Sequence, residues 1–247
     1  MLKPLRTIGG ILKMSIRPFV EELYAAHTAE LKACPEFQAL LDGSANREEY
    51  DRFIANVIRT HLRSPQFLAY LLAIAPPASQ ERVKHNLLEE LGIEDEHAHP
   101  DLLKVLAKGA GLDHLLPELE SLAQEMVRDG ICQRLLFPTL RDQGLAMMLE
   151  VFSFEWMLSR TATSIANALQ AHRQISREDL EWFTHHSELD IRHAEEALDT
   201  LDDYVDWYKI DLETAQTIAE MATRENLFIK RYFGELSLAR QRGMVTE

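Results

Sequence analysis

The chain has 247 residues, 46% hydrophobic and 27% charged, a composition that predicts a soluble globular protein with a sizeable core. Forty acidic residues against 26 lysines and arginines give a net charge of -14, which argues against a nucleic-acid partner because phosphate recognition needs a basic patch. The two cysteines, Cys34 and Cys132, lack the spacing of a disulfide framework, and they are typical of a reducing cytoplasm.

The N-terminal segment carries Lys3 and Arg6 ahead of a short apolar run that Lys13 interrupts, and no small-residue cleavage site follows. We therefore expect no signal peptide. No apolar run reaches the ~18 residues of a membrane span, so we expect a cytoplasmic protein without a membrane partner. Residues 1–16 are predicted to form a loosely held arm, and residues 17–247 a single domain.

The first half of the domain has a helical period almost throughout, with proline and glycine at the joints and no strand-like alternation. Asn46 and Glu49 form a capping box that opens an amphipathic helix. Ser64 and Pro65 begin the next one, because proline suits the first helical position. The helices predicted here cover about 17–32, 47–62, 64–75, 80–91, 101–109 and 116–129.

The second half can hold longer helices, because no proline follows Pro138. We expect one helix over residues 140–171, one over 177–200 and a last one over 212–233. Side chains at 176 and 211 are suitable caps for the second and third of these. No internal repeat or low-complexity linker interrupts the pattern, so the predicted fold is all-α, a single-domain helical bundle.

The second of these long helices contains the stretch HHSELDIRH, in which two histidines and an aspartate recur at helical spacing. At about 100° per residue, His186, Asp190 and His193 fall within a sector of about 60°. Two imidazoles and a carboxylate on one face can bind iron, manganese or zinc, whereas His185 and Glu188 are expected to be bystanders. Chance or a solvated polar stripe also produces this pattern, so a metal site needs partners from other helices.

A second group of candidates lies in NLLEELGIEDEHAHPDLL, residues 86–103. Glu90 shares a helix face with apolar residues, whereas Glu89 lies toward the polar side. A carboxylate on an apolar stripe costs several kcal/mol unless it is paired or metal-bound, so Glu90 is the better ligand and a rim carboxylate is the alternative. Of the two histidines that follow, His99 begins an apolar helix and is held firmly, while His97 lies among acidic residues and is expected to be solvated.

The helix predicted over 140–171 has two carboxylates embedded in apolar sequence. Glu155 shares its face with apolar residues and Glu150 falls on another face, and the alternative for each is a salt bridge to an arginine such as Arg160 or Arg141. We favour Glu155. Six ligands on three helices suit two metals, and a carboxylate-rich set favours iron or manganese over structural zinc. The predicted ligands are Glu90, His99, Glu155, His186, Asp190 and His193.

Other polar and aromatic residues are expected to have structural roles and not to bind a metal. His61 ends an apolar face and is expected to be a satisfied core histidine. Some apolar side chains are candidates to line a substrate pocket, although a stripe at helical spacing is more often core. These are Tyr50, Phe53, Met147, Met148, Phe152, Phe154 and Trp156.

The chain resembles the haem-oxygenase-like di-iron oxidases, a superfamily that also contains thiaminase II and pyrroloquinoline-quinone synthase. The resemblance covers most of the chain after residue 17 and rests on NLLEELG, on HPDL, on the embedded glutamate and on HSELDIRH. The ligand pattern of the family implies the six ligands given above. Glu150 can take the place of Glu155, and the variable spacing in the family leaves His97 as an alternative to His99.

The resemblance implies a bundle of about seven helices that binds two irons per chain, with manganese possible, and no haem. It further implies a homodimer that activates dioxygen to oxidise a small organic substrate such as an amino acid or a fatty acid. The alternative is a metal-independent enzyme or binding protein of the thiaminase II or pyrroloquinoline-quinone synthase type. Against these, Cys132 is not in a context that matches thiaminase, and the acidic chain lacks the basic pocket of the synthase.

Overall fold

The computed structural model describes residues 7, 8, 11, 12, 15–94, 96–133 and 137–234, and within 188–191 it describes the backbone alone. Helix dominates this part of the chain, which confirms the all-α prediction. The α-helices are α1 (Arg17–Ala33), α2 (Pro35–Asp42), α3 (Arg47–His61), α4 (Ser64–Ile74), α5 (Gln80–Glu90), α6 (His99–Ala110), α7 (Leu116–Val127), α8 (Leu140–Arg173), α9 (Glu181–Trp207), α10 (Leu212–Thr223) and α11 (Leu227–Phe233).

Two short strands and two short helical turns complete the described secondary structure. A two-stranded antiparallel ladder precedes α1, a 3₁₀ turn precedes α7 and a π-helical turn follows it. They are β1 (Thr7–Ile8), β2 (Ile11–Leu12), the 3₁₀ turn Asp113–Leu115 and the π-helical turn Arg128–Gln133.

The described residues form more helices than the seven or so expected, for two local reasons. Pro35 opens α2, an eight-residue helix that the sequence did not predict. The prediction of one helix over 212–233 is wrong, because the chain turns after α10 and the side chain of Asn226 caps α11 by accepting a hydrogen bond from the amide of Ile229 at 3.2 Å. The capping box of α3 is confirmed, since the Asn46 side chain and the Glu49 carboxylate each accept from the other's amide.

The two longest helices, α8 and α9, pack against each other along much of their length. The N-terminal half of α8 belongs to a core cluster shared with α1, α4 and α10. Its C-terminal half belongs to a second cluster shared with α3, α6 and α11. Glu155 on α8 and His186 and His193 on α9 therefore lie at the boundary between two apolar clusters.

A glycine turn brings the start of α6 back to the end of α5. Gly92 has a φ of 68°, and a Cβ atom at this position would lie 2.5 Å from the backbone nitrogen of Ala98. Glycine alone tolerates both the left-handed conformation and this close approach without strain. The turn therefore fixes the position of His99, the first residue of α6, relative to Glu90, the last residue of α5.

The end of the predicted N-terminal arm is anchored on α9. The hydroxyl of Ser15 donates to the carboxylate of Asp202 at 2.6 Å, and the amide of Ile16 donates to the same group at 2.9 Å. Residues 1–6, 9, 10, 13 and 14 lie outside the described part of the chain, so the arm stays a prediction. No helix among the described residues is long and apolar enough to cross a membrane.

Candidate metal centre

Three elements bring a carboxylate and two imidazoles together in the interior. Glu90, His99 and His186 are buried, and each offers a ligand atom within 4.8 Å of the others. The Glu90 Oε1 atom lies 3.0 Å from His99 Nδ1 and 3.8 Å from His186 Nε2. These separations are close to those between neighbouring ligands of one metal ion, whose bonds to nitrogen and oxygen are about 2.0–2.2 Å long.

Neighbouring groups hold two of these three side chains in place. The hydroxyl of Ser64 donates to Glu90 Oε2 at 2.7 Å, so that oxygen is fixed while Oε1 faces the imidazoles. His186 Nδ1 lies 2.7 Å from the carbonyl oxygen of Trp182, one turn earlier in α9. A proton on Nδ1 makes this hydrogen bond and leaves the lone pair of Nε2 directed at the cluster, as in many metal-binding histidines.

The electrostatics of Glu90 favour a bound cation. Burial alone would raise the pKa of this carboxyl, but the adjacent imidazoles of His99 and His186 hold the pKa well below its usual range. Among the described residues, no lysine or arginine forms an ion pair with Glu90. Within the described part of the chain, Glu90 is therefore a buried carboxylate stabilised by two imidazoles that could bind a metal and by the Ser64 hydroxyl, without a lysine or arginine.

Glu89 lies on the same side of α5 as His85, as expected, with 3.3 Å between its Oε1 and His85 Nε2, but this side of the helix is buried and not solvated. Its side chain is 6% exposed, no more than that of Glu90 at 8%, because α9 covers this side of the helix. Glu89 Oε2 lies 2.7 Å from His193 Nε2, and its Oε1 accepts from the Arg192 guanidinium at 2.6 Å. Burial would raise the pKa of Glu89, but these two partners lower it to about 2. His193 thus lies against Glu89 and not against Glu90.

The two candidate carboxylates of α8 have different surroundings. Glu155 Oε1 accepts a hydrogen bond from the side-chain amide of Asn86 at 2.6 Å, and Glu155 faces the same pocket as Glu90. Glu150 forms an ion pair with Arg231 of α11 at 2.6 Å. The salt-bridge alternative therefore holds for Glu150, but its partner is Arg231 and neither Arg160 nor Arg141. The guanidinium of Arg160 lies over the Trp156 ring instead.

The other histidines and the aspartate considered as ligands lie in different positions. His99 is 2% exposed and joins the cluster, whereas His97 is exposed on the surface loop. The side chain of Asp190 lies outside the described residues, so its place in the site stays a prediction. His185, expected to be a bystander, has its ring centroid 4.9 Å from that of His99.

His61 is buried at the edge of the pocket, as expected of a core histidine. Its Nε2 atom lies 2.7 Å from the hydroxyl of Tyr232. Burial, together with the nearby His186, lowers the pKa of His61 to about 3, so the ring is neutral at pH 7. His61 therefore contributes no positive charge to the centre.

Three residues of the site were missed in the sequence, namely Ser64, Asn86 and Glu89. Helical spacing offered a signal for one of them, because Asn86 lies four residues before Glu90 and therefore on the same face of α5. Ser64 was assigned only a helix start, and no local pattern shows that its hydroxyl reaches Glu90. The burial of Glu89 depends on the packing of α9 against α5, which the sequence of α5 does not reveal.

A pocket with about 80 Å³ of free space adjoins the cluster. The predicted ligands Glu90, Glu155, His186 and His193 line it, and so does the ion pair Glu150–Arg231. Of the apolar residues proposed for a pocket, Met147 and Phe154 line it, and most of the others are core. Further apolar lining comes from Phe67, Leu68, Met126, Val151 and Leu158.

A family model described as iron-containing redox enzyme matches residues 51–226, more than half of the chain. The chain belongs to this family. The match confirms the resemblance to the haem-oxygenase-like superfamily, and it includes all six predicted ligands. A comparison with curated proteins finds no match. The expectation of an iron-containing redox enzyme is therefore confirmed at the level of the family.

The buried cluster of this redox enzyme fits the metal of its family. Imidazole and carboxylate are ligands that iron accepts readily, and the described part of the cluster lacks the thiolates typical of structural zinc. The ionised state of Glu90 and the fixed tautomer of His186 both prepare the site for a cation. The donors present at Glu90, His99 and His186 are therefore suitable for an iron ion.

Proposed function

We propose that the protein is a non-haem iron oxidase that uses dioxygen to oxidise a small organic substrate. The observation that carries this proposal is the buried cluster of Glu90, His99 and His186 beside a largely apolar pocket, in a member of an iron-containing redox enzyme family. A redox-active centre at the end of a dry pocket suits oxidation of a bound organic molecule. The two free cysteines, Cys34 and Cys132, favour a cytoplasmic location.

We assign two irons to each chain, with manganese as the alternative metal. Glu90, His99 and His186 would hold one ion, Asp190 and His193 the other, and Glu155 would serve between them. When bound, iron supplies the electrons and the open coordination positions for dioxygen. Six protein ligands leave such positions free on two ions.

Side chains of the protein would orient the ligands and exclude water. Ser64 and Asn86 fix the carboxylates of Glu90 and Glu155 through hydrogen bonds of 2.7 and 2.6 Å. Glu89 would support the ring of His193, since its Oε2 lies 2.7 Å from Nε2 of that histidine. The apolar walls keep the substrate in a dry environment and so limit side reactions.

Iron binding tests the proposal directly. Anaerobic titration of the metal-free protein with Fe(II) should reach about two ions per chain, since six ligands suit two metals. His186→Ala should lose most of this binding, whereas the exposed His114 offers a matched control whose replacement by Ala should retain it. Less than about one iron in the wild-type protein would contradict the proposal, and full binding by His186→Ala would show that the ligands are assigned wrongly.

A metal-free enzyme or binding protein is the second candidate, and one observation favours it. Glu90 with His99 and Glu89 with His193 already form close carboxylate–imidazole pairs, so a buried polar network can satisfy itself. In that case Fe(II) and Mn(II) should leave the melting temperature of the protein unchanged. A metal ligand set instead predicts a rise in melting temperature with metal concentration that His186→Ala abolishes.

A further inference from the structure

The π-helical turn Arg128–Gln133 lies beside one wall of the pocket. Met126, in the last turn of α7 just before it, lines the pocket together with Phe67 of α4 and Met147 of α8. A π-helical turn is rare, and such turns occur frequently at functional sites. This turn contains Gly130, which is not itself part of the lining but contacts residues that are.

The backbone of the turn does not require a glycine at position 130. The glycines with a left-handed φ among the described residues are Gly43, Gly92, Gly111 and Gly234, and Gly130 is not one of them. Alanine forms helical structure more readily, because glycine loses more conformational freedom on folding. The local conformation therefore favours alanine, and the glycine has its effect through the space around it.

Two side chains of the pocket wall occupy the space beside Gly130. A Cβ atom at this position would lie 3.2 Å from Cε1 of Phe67 and 3.5 Å from Cε of Met147. The first distance is shorter than the separation of about 3.5–4.0 Å at which two carbon atoms attract each other best. The ring of Phe67 can therefore lie this close to the turn only because residue 130 has no side chain.

We propose that Gly130 sets the length of apolar chain that the pocket accepts. The missing side chain lets Phe67 and Met147 lie back against the turn, and a side chain at position 130 would push the Phe67 ring into the pocket. This inference rests on the proposed function, because it names the residue that sets the size limit for the substrate of that site. The pocket has about 80 Å³ of free space, so one methyl group is enough to change what fits.

The ring of Phe67 is the part of the wall that makes this limit sharp. A planar ring cannot change its length, whereas the unbranched side chain of Met147 adapts to its surroundings. The contact of position 130 with Phe67 is also the closer of the two, at 3.2 against 3.5 Å. Substitutions at Gly130 and at Phe67 should therefore be coupled and not additive.

Binding of 1-alkanols from ethanol to 1-octanol to the metal-free protein tests this inference without any role for iron. Ligand-observed NMR should show an affinity that rises about fourfold per methylene until the pocket is full and then levels off. In Gly130→Ala the rise should end about one carbon earlier, so the longest alcohol that fits the wild type should bind about fourfold more weakly. Gly111→Ala is the matched control, because nothing lies within 4 Å of an added Cβ there and the length limit should stay unchanged.

Phe67→Leu provides a second variant that should reverse the effect. Combined with Gly130→Ala it should restore the wild-type length limit, because the smaller side chain makes room for the added methyl group. An unchanged limit in folded Gly130→Ala would overturn the inference, and so would a shift that Phe67→Leu does not reverse or an affinity that never levels off in the wild type.

The iron titration of the wild-type protein is a separate measurement. Two irons per chain together with an unchanged length limit in Gly130→Ala would refute the role of Gly130 alone. A shifted limit in a protein that takes up no iron would refute the proposed function alone.

Discussion

The two adjacent carboxylates at the end of α5 lie in different electrostatic environments. Glu90 is surrounded by imidazoles and by the hydroxyl of Ser64, with no described lysine or arginine paired to it. Glu89 contacts His193 but also forms an ion pair with Arg192 at 2.6 Å. Both are buried to the same degree, so the difference lies in the partners and not in the exposure.

This difference indicates which carboxylate needs a metal. The charge of Glu89 is already compensated by a permanent cation, because arginine stays protonated at any ordinary pH. The charge of Glu90 is compensated only by histidines, which are charged or neutral according to their surroundings. Under the proposed function, a metal ion would supply the counter-charge for Glu90, whereas Glu89 would support His193.

The largest expected effect separates these two residues. Glu89→Gln should weaken Fe(II) binding about 10–100-fold, the range for loss of a group that orients a ligand. Glu90→Gln should weaken it by more, because the variant lacks a ligand and its charge. Anaerobic Fe(II) titration of both variants shows which of them loses more affinity. A larger loss in Glu89→Gln than in Glu90→Gln would show that Glu89 is itself the metal ligand.

The turn between α5 and α6 offers the next test. Gly92→Ala should destabilise the fold and weaken iron binding, because the new Cβ atom would lie 2.5 Å from the Ala98 nitrogen and displace His99 from Glu90. Gly111 is the control, since its φ of 74° is similar but nothing lies within 4 Å of an added Cβ. Gly111→Ala should cost about 1–2 kcal/mol for the left-handed conformation alone.

Chemical denaturation and Fe(II) titration of the two glycine variants give the comparison. The free energy of unfolding should fall further in Gly92→Ala than in Gly111→Ala, and only Gly92→Ala should lose iron affinity. Equal behaviour of the two variants would mean that the turn does not position His99.

Local sequence patterns account for much of the fold and for the core of the candidate site. The capping box at Asn46 gave the start of α3, and the absence of proline after Pro138 allowed the long helices α8 and α9. The periodicity of α5 placed Glu90 on the buried face, where the structure has it. Each of these features depends on interactions within one helix, which a sequence shows directly.

The features that were missed depend on contacts between helices. Glu89 was assigned to the polar side because only the residues of α5 were considered; His85 of α5 lies 3.3 Å from it, but the covering helix α9 supplies Arg192 and His193 and buries the side chain. The ion pair of Glu150 with Arg231 joins residues 81 positions apart in the chain. Neither pairing has a spacing in the sequence that could reveal it.

The third test concerns the pH dependence of stability near the cluster. His61 has a folded pKa of about 3, below the value of about 6.5 of an exposed histidine, so the unfolded chain binds the additional proton between these values. Its contribution to stability is complete above pH 6.5 and is lost as the pH falls toward 3, by at most about 1.4 kcal/mol per pH unit.

His61→Gln should remove this contribution to the pH dependence while it keeps a polar group near Tyr232. The difference in unfolding free energy between wild type and variant, measured by denaturation from pH 7 to pH 4.5, should shrink as the pH falls. A constant difference over this range would contradict a buried neutral imidazole at this edge of the pocket.

The smallest expected effect comes from the cation beside Glu89. The side chain of Arg192 is 46% exposed, so solvent screens its ion pair and Arg192→Met should change the unfolding free energy by about 1 kcal/mol or less. Glu89 would then be left with His193 as its main partner and would resemble Glu90 more closely. Fe(II) affinity should therefore stay within about tenfold of the wild type, below the loss expected for removal of Glu89 itself. A loss of Fe(II) affinity as large as that of Glu90→Gln would mean that the ion pair between Arg192 and Glu89 is itself required for iron binding, contrary to this comparison.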